Sequence, residues 1–93
     1  MTSASPKSPD RILLVEDDRA VARGLQYALE AEGFGVLWAE TGRDAMARAR
    51  RDAPRLILLD VRLPDMSGFD ILRQLRAEGH RQPIMMLTAR DEE

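Results

Sequence analysis

Cysteine is absent from this sequence. That excludes disulfides, thiolate zinc centres and cysteine nucleophiles. Histidine occurs once, at His80, which excludes a multi-histidine metal site and argues against a histidine-based triad. No apolar run is longer than four or five residues, far short of a membrane span. The first nine residues lack the apolar stretch of a secretory signal and read as a polar, Ser/Pro-rich tail. Charge of one sign is also missing. Against 16 Asp+Glu stand 14 Lys+Arg, a net −2, so there is no overall basic field to hold nucleic acid. Among the basic residues only Lys7, inside the tail, is a lysine. What remains is a chain of 93 residues, 44% hydrophobic and 32% charged. It reads as one soluble, cytoplasmic globular domain or part of one.

Residues 1–10 carry little that could be buried and are expected to be a disordered tail. Organisation begins at Arg11. Ile12-Leu13-Leu14-Val15 is continuously apolar, as expected of a strand buried on both faces. A helical period follows, with Val21, Leu25, Ala28, Leu29 and Glu32 at three- and four-residue steps. Asp18 is placed as its N-cap and Gly33 as the glycine just past its end. Phe34 to Ala39 reads as a second strand. Thr41-Gly42-Arg43-Asp44 has capping-box spacing, with Asp44 in place of the usual Glu. Ala45, Met46, Ala49 and Ala53 then form a narrow stripe that Pro54 ends. Leu56-Ile57-Leu58-Leu59 is a third strand, followed by Asp60. Leu63-Pro64-Asp65-Met66 has turn chemistry. Ser67 caps a third helix with Ile71, Leu72 and Leu75 on its face and Gly79 at its close. Pro83-Ile84-Met85-Met86-Leu87 is a fourth apolar run, read as a strand and followed by Thr88, and a further helix could begin at Ala89. Alternating strands and helices with apolar strands predict an α/β fold, a doubly wound parallel sheet joined by right-handed crossovers.

In such sheets ligands sit beyond the carboxyl ends of the strands. Glu16, Asp17 and Asp18 follow the first strand, Asp60 the third and Thr88 the fourth. If the first and third strands are neighbours, several carboxylates converge on one cleft. Crowded like charges must raise a pKa, stay hydrated or hold a cation. Mg2+ suits them, because it takes oxygen ligands, usually one or two carboxylates beside phosphate oxygens and water. A carboxylate next to Mg2+ is in turn a reasonable nucleophile toward phosphorus, and Asp60 is the candidate. Each residue alone also has an ordinary structural explanation. The acidic triplet fits a solvated turn or the N-terminus of a helix, Asp60 a loop acid, and Thr88 a helix cap with Asp91 at capping-box spacing. Trp38, Met85 and Met86 fit packing roles, His80 a loop, and Arg48, Arg50 and Arg51 a solvated helix face. The joint placement at three strand ends is what those explanations leave out.

Three segments together resemble the receiver domain of two-component response regulators. They are Ile12-Leu13-Leu14-Val15-Glu16-Asp17-Asp18, Leu58 to Gly68 (LLDVRLPDMSG) and Pro83 to Arg90 (PIMMLTAR). The second and third look most like the subfamily whose receivers precede a winged-helix DNA-binding domain. The resemblance implies a flavodoxin-like sheet of order 2-1-3-4-5, with residues 11–93 as a partial receiver. It implies that Asp60 accepts the phosphoryl group, with Mg2+ bound by Asp17 directly, by Glu16 through water, by Asp60 and by the backbone carbonyl of Arg62. Thr88 would be the switch hydroxyl, Pro64 and Gly68 would shape the loop, and a sensor histidine kinase or a small acyl phosphate would be the donor. Such a domain is an acceptor and not a turnover enzyme.

The family's domain has five strand–helix units, and this sequence reaches only the start of the fourth helix. The expectation is therefore that the last strand and helix, with the family's essential lysine, are missing. A charge-assisted contact of that kind contributes roughly 1.5–3 kcal/mol, so slow phosphorylation with weak conformational coupling is expected. The fourth strand would be an open edge, with Met85 and Met86 beside it, inviting self-association. Two other functions compete. One is a receiver-like interaction or dimerisation module that no longer takes phosphate, or a fragment of a longer DNA-binding regulator. The other is an aspartate-nucleophile phosphatase, which wants a second acid where Arg62 stands. Direct DNA contact is not expected, since no basic recognition helix is present.

Overall fold

Strands with no polar residue between their ends can only be stable with both faces covered, and this constraint organises the fold. The computed structural model describes residues 11–87. Its elements run β1 (Arg11–Val15), α1 (Arg19–Ala31), β2 (Gly35–Ala39), α2 (Gly42–Asp52), β3 (Leu56–Asp60), α3 (Gly68–Ala77) and β4 (Ile84–Leu87). The four strands form one parallel sheet in the order β2-β1-β3-β4. The tail 1–10 with Lys7, Thr88 and the helix expected after Ala89 lie outside the described residues.

The strand alternation divides the core in two. Leu13, Val15, Ile57 and Leu59 face α2 and α3, packing on Ala45, Met46, Ala49, Ile71 and Leu75. Ile12, Leu14 and Leu58 face the other way, against Ala22, Leu25 and Leu29 of α1. Leu13, Leu14, Ile57 and Leu59 are fully buried, and truncating any one to Ala should cost about 2–5 kcal/mol. β1 and β3 are thus the rigid centre of the sheet.

The helices begin and end largely where the sequence places them. Asp18 Oδ1 accepts from the N–H groups of Ala20 (2.9 Å) and Val21 (3.2 Å). Gly33 follows the α1 C-cap with φ +97°, the left-handed conformation that favours glycine. Four details differ. On α1, Leu25 and Leu29 pack on the sheet as expected and buried Ala22 joins them, while Val21 and Ala28 face solvent. β2 starts at Gly35, because the Phe34 N–H is taken by Leu29 O at 3.1 Å, closing the helix end. Ala53 is exposed and left-handed at φ 44°, the C-cap of α2 and no part of its stripe. In the Thr41 box only half forms: Thr41 Oγ1 accepts from Asp44 N–H at 3.1 Å, while the Asp44 carboxylate pairs with Arg48 at 3.2 Å. The side chain of Asp is one methylene shorter than that of the usual Glu, which explains why it does not reach back.

Candidate functional site

The register of β1 on β3 sets Val15 opposite Leu59, so the residues that follow, Glu16 and Asp60, stand side by side at the end of the sheet, with Asp60 still paired to Leu87 of β4. Glu16 stays tied to the sheet rim. Its N–H donates to Ala39 O at 3.0 Å, its carbonyl accepts from Trp38 Nε1 at 2.8 Å, and its carboxylate accepts from Asp18 N–H at 3.1 Å. It is the buried charged residue of the described core, at 7% exposure. Asp17 projects from the next position into solvent, and Asp60 is half-buried. One carboxylate oxygen from each of Glu16, Asp17 and Asp60 lies within 4.8 Å of the other two. The structure therefore brings together three of the acids singled out in the sequence. Asp18 is used as a helix cap instead.

Burial is the main cause that pushes the Glu16 carboxyl above its ordinary range. The Asp18 N–H opposes the shift, and the Asp60 and Asp17 carboxylates add to it. A raised folded-state value means the native chain binds the Glu16 proton more tightly than the unfolded chain. The stability this supplies is complete below the ordinary glutamate range and is lost as pH rises through the raised value. Three hard oxygen donors with one reluctant to ionise fit a divalent cation, whose charge would relieve the repulsion.

The β3–α3 loop closes over the same rim. Arg62, two residues beyond Asp60, forms an isolated antiparallel bridge with Ser67. Gly68 donates from its N–H to Val61 O at 2.7 Å. A Cβ on Gly68 would lie 2.3 Å from the Asp60 carbonyl oxygen, so only glycine lets α3 start this close to the end of β3. Two contacts were not anticipated. Trp38, read as a packing residue, also fixes the Glu16 backbone. Asp65, read as part of a turn, reaches α2 and accepts from Gly42 N–H (2.7 Å) and Arg43 N–H (3.0 Å). The first amides of any helix need acceptors from outside it, but nothing in the local sequence of α2 names Asp65 as theirs.

Residues 12–93 match the model of the response regulator receiver domain. The chain belongs to that family. It is 43% identical over 83 residues to the alkaline phosphatase synthesis transcriptional regulatory protein PhoP of Bacillus subtilis, covering 89% of this chain and 35% of that protein. It is 44% identical over 84 residues to the transcriptional regulatory protein CreB of Escherichia coli, covering 90% and 37%. Among solved structures, the signal receiver domain of a LuxO-type repressor protein from Vibrio parahaemolyticus superposes with a TM-score of 0.85 at 35% identity, over 91% of this chain and 65% of that one. The BeF3-activated N-terminal receiver domain of Klebsiella pneumoniae RstA gives 0.83 at 32%, over 89% and 70%. The receiver described here thus spans little more than a third of the length of these curated relatives. Among its described residues no helix is long and apolar enough to cross a membrane.

The crowding makes a testable statement about the metal-free receiver. Glu16→Gln should raise its melting temperature by a few degrees in EDTA at neutral pH, because a neutral amide keeps the Asp18 bond and removes a buried charge. If Mg2+ binds the cluster, the same change should abolish most of the stabilisation that adding Mg2+ gives the wild-type chain. Thermal melts with and without Mg2+ read both effects, and a lower metal-free melting temperature for the variant would contradict this account.

Proposed function

We propose that this receiver is the phosphoacceptor of a two-component transcriptional regulator, modified on Asp60 by a sensor histidine kinase. The carrying observation is the convergence of the Glu16, Asp17 and Asp60 carboxylates on one rim, each within 4.8 Å of the others. In the proposed reaction an oxygen of Asp60 attacks the phosphorus of a phosphohistidine. The phosphorus–nitrogen bond breaks, its electron pair stays on the imidazole, and an acyl phosphate forms on Asp60. Mg2+, when bound, supplies positive charge against the phosphoryl oxygens. Asp17 and Asp60 are its proposed direct ligands, Glu16 acts through water, and the Arg62 carbonyl completes the protein's share. Thr88 is the proposed switch hydroxyl that turns toward the phosphoryl group. One phosphoryl group per chain is the expected end point, which makes the domain an acceptor and not a turnover enzyme. The proposed setting is the cytoplasm, with no direct contact to nucleic acid by this segment.

Incubation with Mg2+ and acetyl phosphate, read by intact mass, tests this reading. The expected result is a single phosphoryl adduct that EDTA prevents and Asp60→Asn abolishes. A chain that gains no adduct and also fails to bind beryllofluoride would be an interaction module and not an acceptor.

Self-association through β4 belongs to the same proposal. Among the described residues β4 has one strand neighbour, β3, and Met85 on it is 57% exposed. A parallel strand edge with an apolar side chain beside it is a template for a second copy. Sedimentation velocity over a range of concentrations should show a reversible dimer that Met85→Lys disrupts. A monomer at every concentration would refute it.

A further inference from the structure

The loop after Asp60 is fastened at two places. Its base is closed by the Arg62–Ser67 bridge and the Gly68 to Val61 hydrogen bond. Its tip is fastened by Asp65, which lies 23 residues from Gly42 in sequence yet takes the first two amides of α2 in its two carboxylate oxygens. Thr41 Oγ1 takes the third amide, that of Asp44, and the Thr41 carbonyl the next, that of Ala45. Every donor in the first turn of α2 is therefore occupied, two of them from another element. Packing repeats the arrangement: a Cβ on buried Gly42 would lie 2.2 Å from Met66 Cγ, so the helix start and the loop tip lie against each other.

We propose that Asp65 is a positioning residue for the cation site. By bridging to the N-terminus of α2 it holds the β3–α3 loop, and with it the Arg62 backbone, in place beside Asp60. This rests on the reading that Mg2+ binds the Glu16, Asp17 and Asp60 cluster with help from the Arg62 carbonyl. An anionic carboxylate suits this role, because two charge-assisted bonds and the positive end of the helix act on it together. The same contacts hold the Asp65 carboxyl below the ordinary aspartate range, chiefly the Gly42 N–H and then the Arg43 N–H. Asp65 has no place among the metal-binding acids; it acts through the loop.

Thr41 supplies the control. Thr41→Ala also removes a cap from α2 but leaves the loop tether intact. Mg2+ affinity by calorimetry, melting temperature in EDTA, and amide hydrogen exchange are measured on the wild-type chain and on Asp65→Ala, Asp65→Asn and Thr41→Ala. The expected result is comparable melting temperatures for Asp65→Ala and Thr41→Ala. Mg2+ affinity should hold in Thr41→Ala and fall with Asp65→Ala by about tenfold, the lower end of what outer partners of metal ligands contribute. Asp65→Asn keeps one acceptor oxygen and should fall in between. Exchange in metal-free Asp65→Ala should quicken at Gly42, Arg43 and the loop amides of 62, 63 and 65–67. Equal loss of affinity in Asp65→Ala and Thr41→Ala, or none in either, would overturn the proposal while leaving the cation site standing. A wild-type chain that binds no Mg2+ would instead overturn the cation site, and this inference with it.

Discussion

Pairing of β1 with β3 drives two carboxylates into one small volume. Both strands are apolar and buried on both faces, so their register is set by the core and not by the charges at their ends. Once Val15 lies opposite Leu59, Glu16 and Asp60 have to stand together at the sheet's end, and Asp17 follows. The repulsion among them is the cost of that register. Burial is the larger cause of the raised proton affinity of Glu16, and that repulsion adds to it. The hydrophobic core on both faces of the sheet outweighs it, and the result is a crowded acidic cluster whose repulsion a cation would relieve.

The rest of the rim keeps that cluster in register. Trp38 donates to the Glu16 carbonyl across the β1–β2 pair, and the Asp18 N–H holds the Glu16 carboxylate. Gly68 lets α3 press against the last residue of β3. Asp65 joins the loop to α2. Each contact restricts backbone and not merely side chain. That matters for the proposed chemistry, because a phosphoryl group on Asp60 needs its acceptor oxygen and its counter-charge in fixed relative positions before the donor arrives.

Much of this was legible in the sequence for a physical reason. Continuous apolar runs such as Leu56 to Leu59 leave few choices but a buried parallel strand, and helix caps such as Asp18, Thr41 and Ser67 have short-range chemistry that local spacing reveals. The acids at the strand ends followed from those two readings plus one condition, that β1 and β3 are neighbours, which the sheet order meets. Longer-range contacts were not legible in the same way. Nothing local tells Trp38 that its indole N–H will meet the Glu16 carbonyl, or Asp65 that its partners lie 23 residues earlier. The left-handed Ala53 was hidden too, because an alanine at a helix end gives no glycine-like signal. On α1, Leu25 and Leu29 pack on the sheet as read, but the small Ala22 faces it in place of the larger Val21.

The central claim is that Glu16, Asp17 and Asp60 share one cation. Substoichiometric Mn2+ added to the isotope-labelled chain tests it directly, because a bound paramagnetic ion broadens nearby amide resonances first. The account predicts selective loss at Glu16, Asp17 and Asp18 and at Asp60, Val61 and Arg62, reversed by excess Mg2+. Broadening spread evenly over the other acidic residues, such as Glu30, Asp52 and Glu78, with no preference for the strand ends, would contradict it.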